Sequence, residues 1–222
     1  MKNNKLFITS LIAAAAMTTT AFAGPASAPT GDWTTISSDT TKSESVGGYK
    51  VSSGTLTLES ANALTFEQLY TTAGNITIGT NSQVTKVTTG RIEMGDDGSS
   101  GTTNLSISTG STFVVTGNNN TSGYGSASIL LGEWERNTTI DINGTFIATE
   151  AKIQTGDQKT TLNISGSLAT KGFGIAQVKD SKTNQGIALN LNDNGKLILG
   201  DNGINVAKGW SSSIETATIG TY

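Results

Sequence analysis

The sequence predicts an all-β fold, a parallel β-helix built as a three-sided β-solenoid. Three observations lead there. A short phrase recurs between residues 75 and 199. Its copies fall into three columns with a mean spacing of about 28 residues. The chain also carries 27 Gly and only 2 Pro, which suits many tight turns between short strands.

The phrase is clearest at Thr139-Ile140-Asp141-Ile142-Asn143-Gly144-Thr145-Phe146 and at Thr161-Leu162-Asn163-Ile164-Ser165-Gly166-Ser167-Leu168. Two apolar residues stand two apart, then come a small or polar turn and another apolar residue. Alternation at period 2 marks a strand with one buried face, and repetition of the phrase marks a repeat architecture. The first column reads Leu56, Val84, Phe113, Phe146, Leu168 and Leu197, at intervals of 28, 29, 33, 22 and 29. The second reads Leu64, Ile92, Ile129, Ile153, Ile175 and Ile204. The third reads Ile76, Leu105, Ile140, Leu162 and Leu189, with apolar partners Ile78, Ile107, Ile142, Ile164 and Leu191. One layer cannot bury its own apolar face and needs a neighbour above and below. Stacking at about 4.8 Å turns each column into a parallel sheet, and about six coils make a rod of roughly 29 Å. Parallel crossovers favour right-handed coiling. In this register Ile142 and Ile164 point inward in adjacent coils. An antiparallel sandwich accounts for the strands but not for the three-column spacing.

From the start, the elements read as follows. Met1-Lys2-Asn3-Asn4-Lys5, the apolar stretch Leu6 to Met17 and Ala21-Phe22-Ala23 form a secretory signal peptide over residues 1–23. Its apolar run is short of the roughly 20 residues a spanning helix needs, and no second run of spanning length follows. Residues 24–46, rich in Ser, Thr, Pro and Ala, read as a linker and N-terminal cap, with Trp33 and Ile36 over the first layer. Residues 47–222 form the repeat domain. Removing Lys2 and Lys5 leaves 12 basic residues against 17 acidic ones, a net charge of −5. That balance argues against a nucleic-acid partner. With no Cys and no His, disulfides, thiol or imidazole nucleophiles and ordinary zinc sites are excluded.

Gly74-Asn75-Ile76-Thr77-Ile78-Gly79 and Asn194-Gly195-Lys196-Leu197-Ile198-Leu199-Gly200 resemble the passenger repeats of bacterial autotransporters, and those of related exported β-helix proteins that carry a C-terminal sorting signal. The resemblance covers roughly residues 47–210. It implies export, a right-handed parallel β-helix, and an adhesive or structural role at the cell surface or outside the cell. A host or neighbouring-cell glycan or protein is the implied partner. The sequence departs from that pattern at Ile219-Gly220-Thr221-Tyr222, which shows neither barrel nor sorting helix; it reads as a fragment of a longer surface protein or as a short secreted relative.

Three constellations carry candidate chemistry. Four residues after successive second-column positions stand Asp96, Glu133 and Asp157. One reading is an oxygen ladder for a cation such as Ca²⁺, and the favoured reading is a solvated turn, because Ca²⁺ takes six to eight ligands. The same carboxylates, with Asp97, are the candidates for acid–base work in a polysaccharide lyase or hydrolase, the second-ranked function. The third constellation follows the irregular coil. Phe113 to Ile129 takes 16 residues where other coils take 7 or 8. The extra residues form a Gly/Asn-rich loop; Tyr124 with Trp134, Glu135 and Arg136 is the candidate ligand-binding cluster, and the favoured reading is that Trp134 covers a coil corner and Tyr124 lies on a flexible tip. Asn-x-Ser/Thr triplets at Asn75, Asn104, Asn137, Asn143 and Asn163 read as repeat composition, with outward Asn and Thr able to pair along the stack.

Loop length costs little thermodynamically, with a doubling worth about 0.6 kcal/mol. Deleting Asn118 to Ser126 should therefore leave cooperative folding intact. Loss of the thermal transition would show that the insertion is structural.

Overall fold

The computed structural model describes residues 33–95, 100–117, 128–132, 136–156, 158–175, 186–200 and 218–221. Within them the regular elements are strands, and every pairing is parallel. This removes the antiparallel sandwich. The chain alternates between two sheets. Sheet A holds β1 (Trp33–Ile36), β3 (Gly48–Val51), β5 (Leu64–Thr71), β7 (Lys86–Met94), β9 (Thr112–Val115), β10 (Ile129–Leu131), β12 (Thr145–Thr155), β14 (Ser167–Ile175) and β16 (Lys196–Leu199). Sheet B holds β2 (Thr40–Lys42), β4 (Thr55–Leu58), β6 (Asn75–Ile78), β8 (Gly101–Ile107), β11 (Arg136–Ile142), β13 (Lys159–Ile164), β15 (Gly186–Leu191) and β17 (Thr218–Thr221). Each strand pairs with its counterpart one layer away, so the architecture is solenoid-like.

Sheet B follows the predicted third column. Leu56, Ile76, Leu105, Ile140, Leu162 and Leu189 stand in one register row. Leu58, Ile78, Ile107, Ile142, Ile164 and Leu191 stand in the next. Ile142 and Ile164 are direct parallel partners and fully buried, as expected.

Sheet A carries two successive runs of register along its long strands. In the first, Leu64, Val87, Phe113, Phe146, Leu168 and Leu197 are aligned. In the second, Tyr49 pairs with Leu69, Leu69 with Ile92 and Ile92 with Ile129; Leu130 pairs with Gln154, which carries the row on to Ile153, and Ile153 pairs with Phe173. In β9 and β10 these runs are separate strands, with the insertion between them. The first two columns are therefore one sheet, and four of their assignments change. Leu56 belongs to sheet B, because Leu56-x-Leu58 is itself a copy of the sheet B phrase. Leu64 moves to the first run. Val84 leaves the core: it is 57% exposed, and Val87, of the opposite parity, takes its place. Ile175 pairs with Thr155 and not with Ile153, because β12 holds extra residues between Ala148 and Lys152. Ile204 lies outside the described residues.

The turn from sheet B to the first run needs glycine for a packing reason. Gly144 and Gly166 stack in adjacent layers, and a Cβ on Gly166 would overlap the Gly144 carbonyl oxygen. The Gly166 N–H donates to the Ile142 carbonyl at 2.7 Å, which fixes that close approach. Aromatic rings pack between adjacent layers. Phe113 and Phe146 are tilted neighbours at 5.2 Å between centroids, and Tyr49 meets Phe66 edge-on at 5.5 Å.

Among the described residues the ladder begins at Trp33, inside the segment read from sequence as linker and cap. The first layer differs from those after it. Register places Thr40 in the Leu56 row and Lys42 in the Leu58 row. A charge at an inward position of a terminal strand opposes pairing by a further strand.

Two outcomes follow. Ile164→Asp places an unpaired carboxylate in the core and should cost several kcal/mol; an unchanged denaturation midpoint would overturn the register. The Tyr49 hydroxyl is buried without a hydrogen-bond partner. Burial pushes its pKa above the usual value, and the charge of Glu44 adds to the shift. The unfolded chain then loses the phenolic proton first. Stability is fully present below pH of about 10 and falls as pH rises towards the folded-state pKa. Tyr49→Phe should keep or raise stability at pH 7 and reduce the loss above pH of about 10, read by denaturant titration at both pH values.

Candidate functional site

Three surfaces are available: the turn that follows the second run of sheet A, and the outer faces of the two sheets. The turn carries the predicted acidic column. Met94, Leu131 and Thr155 stand in register at the ends of β7, β10 and β12. Gly95 donates to the Thr71 carbonyl at 3.0 Å and Gly156 to the Leu131 carbonyl at 2.8 Å, so the backbones leave the sheet in step. Asp96, Glu133 and Asp157 each follow two residues after those strand ends. All three, and Asp97, lie outside the described residues. So do Tyr124, Trp134 and Glu135. Among the described residues, no three His, Cys, Asp or Glu side chains are grouped to hold a metal ion.

Arg136 is the one predicted site residue that the structure describes. It opens β11 opposite Gly101 and shares the parity of Thr138, Ile140 and Ile142. Its guanidinium lies against the Gly101 backbone, where a Cβ would collide with Nη1. It is thus seated at the sheet corner, off the outer face.

The outer face of sheet A is partly closed. Val114 and Leu130 point away from the core alternation, yet they are only 3% and 1% exposed. Arg91 and Glu93, two apart on β7, form an ion pair with little exposure of either side chain. On the neighbouring strands Lys50 stands over the Tyr70 ring, its Nζ 5.7 Å from the centroid. Lys50, Tyr70 and Glu93 share one register row. This polar and aromatic cluster was not singled out in the sequence, because Arg91 and Glu93 look like solvated outward positions.

The outer face of sheet B is open. One row runs Thr55, Asn75, Asn104, Thr139, Thr161 and Ala188; the other runs Thr57, Thr77, Ser106, Asp141, Asn163 and Asn190. Every one of these side chains is partly exposed. Amides link successive layers. Asn104 donates from its backbone N–H and from Nδ2 to Asn75 Oδ1, at 2.9 and 3.0 Å. Asn163 Nδ2 donates to Asp141 Oδ1, and Asn190 Nδ2 donates to Asn163 Oδ1, each at 2.7 Å. At the following turn, Asn192 Nδ2 donates to Ser165 Oγ at 2.7 Å. Side-chain amide ladders of this kind belong to in-register parallel strands. Outward pairing was expected from composition; which residues pair depends on the register.

No family model, curated protein or solved structure matches the chain. Among the described residues no helix is long and apolar enough to cross a membrane.

Asn163→Ala removes the middle of the Asp141–Asn163–Asn190 ladder. Each net hydrogen bond contributes about 0.5–1.5 kcal/mol, and water replaces part of it at partly exposed positions. A loss of about 1–2 kcal/mol with an unchanged denaturant slope is expected in equilibrium unfolding. No change would show that the ladder adds nothing to stability.

Proposed function

We propose that this chain is an exported bacterial β-solenoid, right-handed and three-sided, and that it is a non-enzymatic protein of surface adhesion or surface architecture. The observation that carries this reading is the open outer face of sheet B, where layer after layer repeats hydroxyl and amide groups in one register. A catalytic centre concentrates its groups at one point; this surface distributes equivalent groups along the stack. The charged start, the short apolar stretch and Ala21-Phe22-Ala23 support export. The likeness of the repeat phrases to autotransporter passengers supports a place at the cell surface or outside the cell, with a glycan or protein of a host or neighbouring cell as partner.

A carbohydrate-active enzyme is the second reading. It is favoured by one observation: Met94, Leu131 and Thr155 end their strands in register, two residues before Asp96, Glu133 and Asp157. Paired carboxylates at about 5–9.5 Å serve glycoside hydrolysis. The fold alone supplies neither function.

The deciding experiment gives purified mature protein both assays. Retention on cells or immobilised glycans, with no turnover of acidic or neutral polysaccharides, is the expected result. Turnover that Asp96→Asn or Glu133→Gln abolishes would replace the adhesive reading with the enzymatic one.

A further inference from the structure

We propose that the outer face of sheet B is the contact surface, and that its partner is an insoluble, uncharged polysaccharide; this rests on the adhesive reading above. The face forms a lattice in two directions. Along a row the groups repeat at the strand spacing, roughly 4.8 Å, and across the rows at two residues, about 6.6–6.8 Å. A small ligand would use one unit of such a lattice. A partner that itself repeats uses all of it, summing many weak contacts.

The amides are preset for this. Asn163 commits one N–H to Asp141 and one oxygen lone pair to the N–H of Asn190. Its second N–H and second lone pair remain available for a partner. Because the ladder already fixes the side chain, contact adds little ordering cost.

Charge selects the class of partner. Asp141 is the only charged residue in the two rows, and Lys159 stands exposed at the next outward position before Thr161. Among the described residues of this face, polyanions find a single cation, Lys159, at the start of β13, and a cationic surface finds one carboxylate already accepting a hydrogen bond. The rows also lack aromatic and large aliphatic side chains, the anchors on which protein–protein contacts depend. What the face offers is neutral donors and acceptors, which suits a hydroxyl-rich polymer. Sheet A offers a different surface, since Arg91 pairs with Glu93, Lys50 stands over Tyr70, and Val114 and Leu130 are buried.

The test is sedimentation of the purified mature protein with cellulose or chitin powder, with pectate gel, and with polycrystalline ice, beside a cell-adhesion assay. Wild type should bind a neutral polysaccharide. Thr77→Lys/Thr161→Lys raises charged side chains over both rows and should weaken that binding at least about tenfold. Thr88→Lys on sheet A should bind like wild type. If the double lysine variant melts early, Thr77→Val/Thr161→Val keeps the side-chain shape, removes both hydroxyls and should also lose binding. Neutral-polysaccharide binding that survives the sheet B variants overturns the assigned face and leaves the adhesive reading standing. Binding to pectate or ice without binding to cellulose or chitin overturns the assigned partner. Retention on none of these surfaces or on cells overturns the adhesive reading, and this inference with it.

Discussion

Register between stacked strands is the constraint on which the structure depends. A single layer has two or three short strands and no interior of its own. Its apolar side chains are buried only if the layer above places side chains of the same parity over them. The rows Leu56–Leu189 and Leu58–Leu191 in sheet B meet this condition at every step. Shifting one strand by one residue would turn its inward pair out to solvent. The glycines at 144 and 166 serve the same constraint, because they let successive turns approach closely enough for the strands beyond them to remain in step.

Sheet B was legible in the sequence because its phrase has fixed internal spacing. Apolar, any, apolar and a tight turn recur without insertion in β11 and β13, and the same pair occurs in β4, β6, β8 and β15. Sheet A was less legible for two physical reasons. Its two runs are joined within single strands, and the join varies: β12 carries extra residues before Lys152, and β9 and β10 are parted by a long insertion. Parity also failed at one point. Gln83-Val84-Thr85-Lys86-Val87 offers two valines of opposite parity, and the buried one, Val87, is recognised only from its partners Leu64 and Phe113.

Functional groups followed the same division. The acidic column was visible as a spacing, and the strands leading into it are aligned up to Met94, Leu131 and Thr155. The ladder from Asp141 through Asn163 to Asn190 was visible only as an abundance of Asn and Thr. Its members are 22 and 27 residues apart, so no local pattern joins them. The Arg91–Glu93 pair had no signal at all, since an i, i+2 pair of opposite charges on a strand is ordinary surface composition. Arg136, chosen for its closeness in sequence to Trp134, instead packs against Gly101.

Among the described residues, Lys42 gives the β2 edge of sheet B a character of its own. A strand laid against β2 from the open side would have to cover an ammonium group at the position that Leu58, Ile78 and Ile107 fill in later layers. In sheet A, the last described strand β16 presents Leu197 and Leu199 at its inward positions, both packed against the core and only partly buried. The two edges therefore differ as templates: β2 of sheet B opposes an apolar newcomer and β16 of sheet A receives it. Over evolutionary time, duplicated layers can accumulate between β2 and β16. Rod length can then change without redesign of the core, since each added turn needs only the parity of the one beneath it.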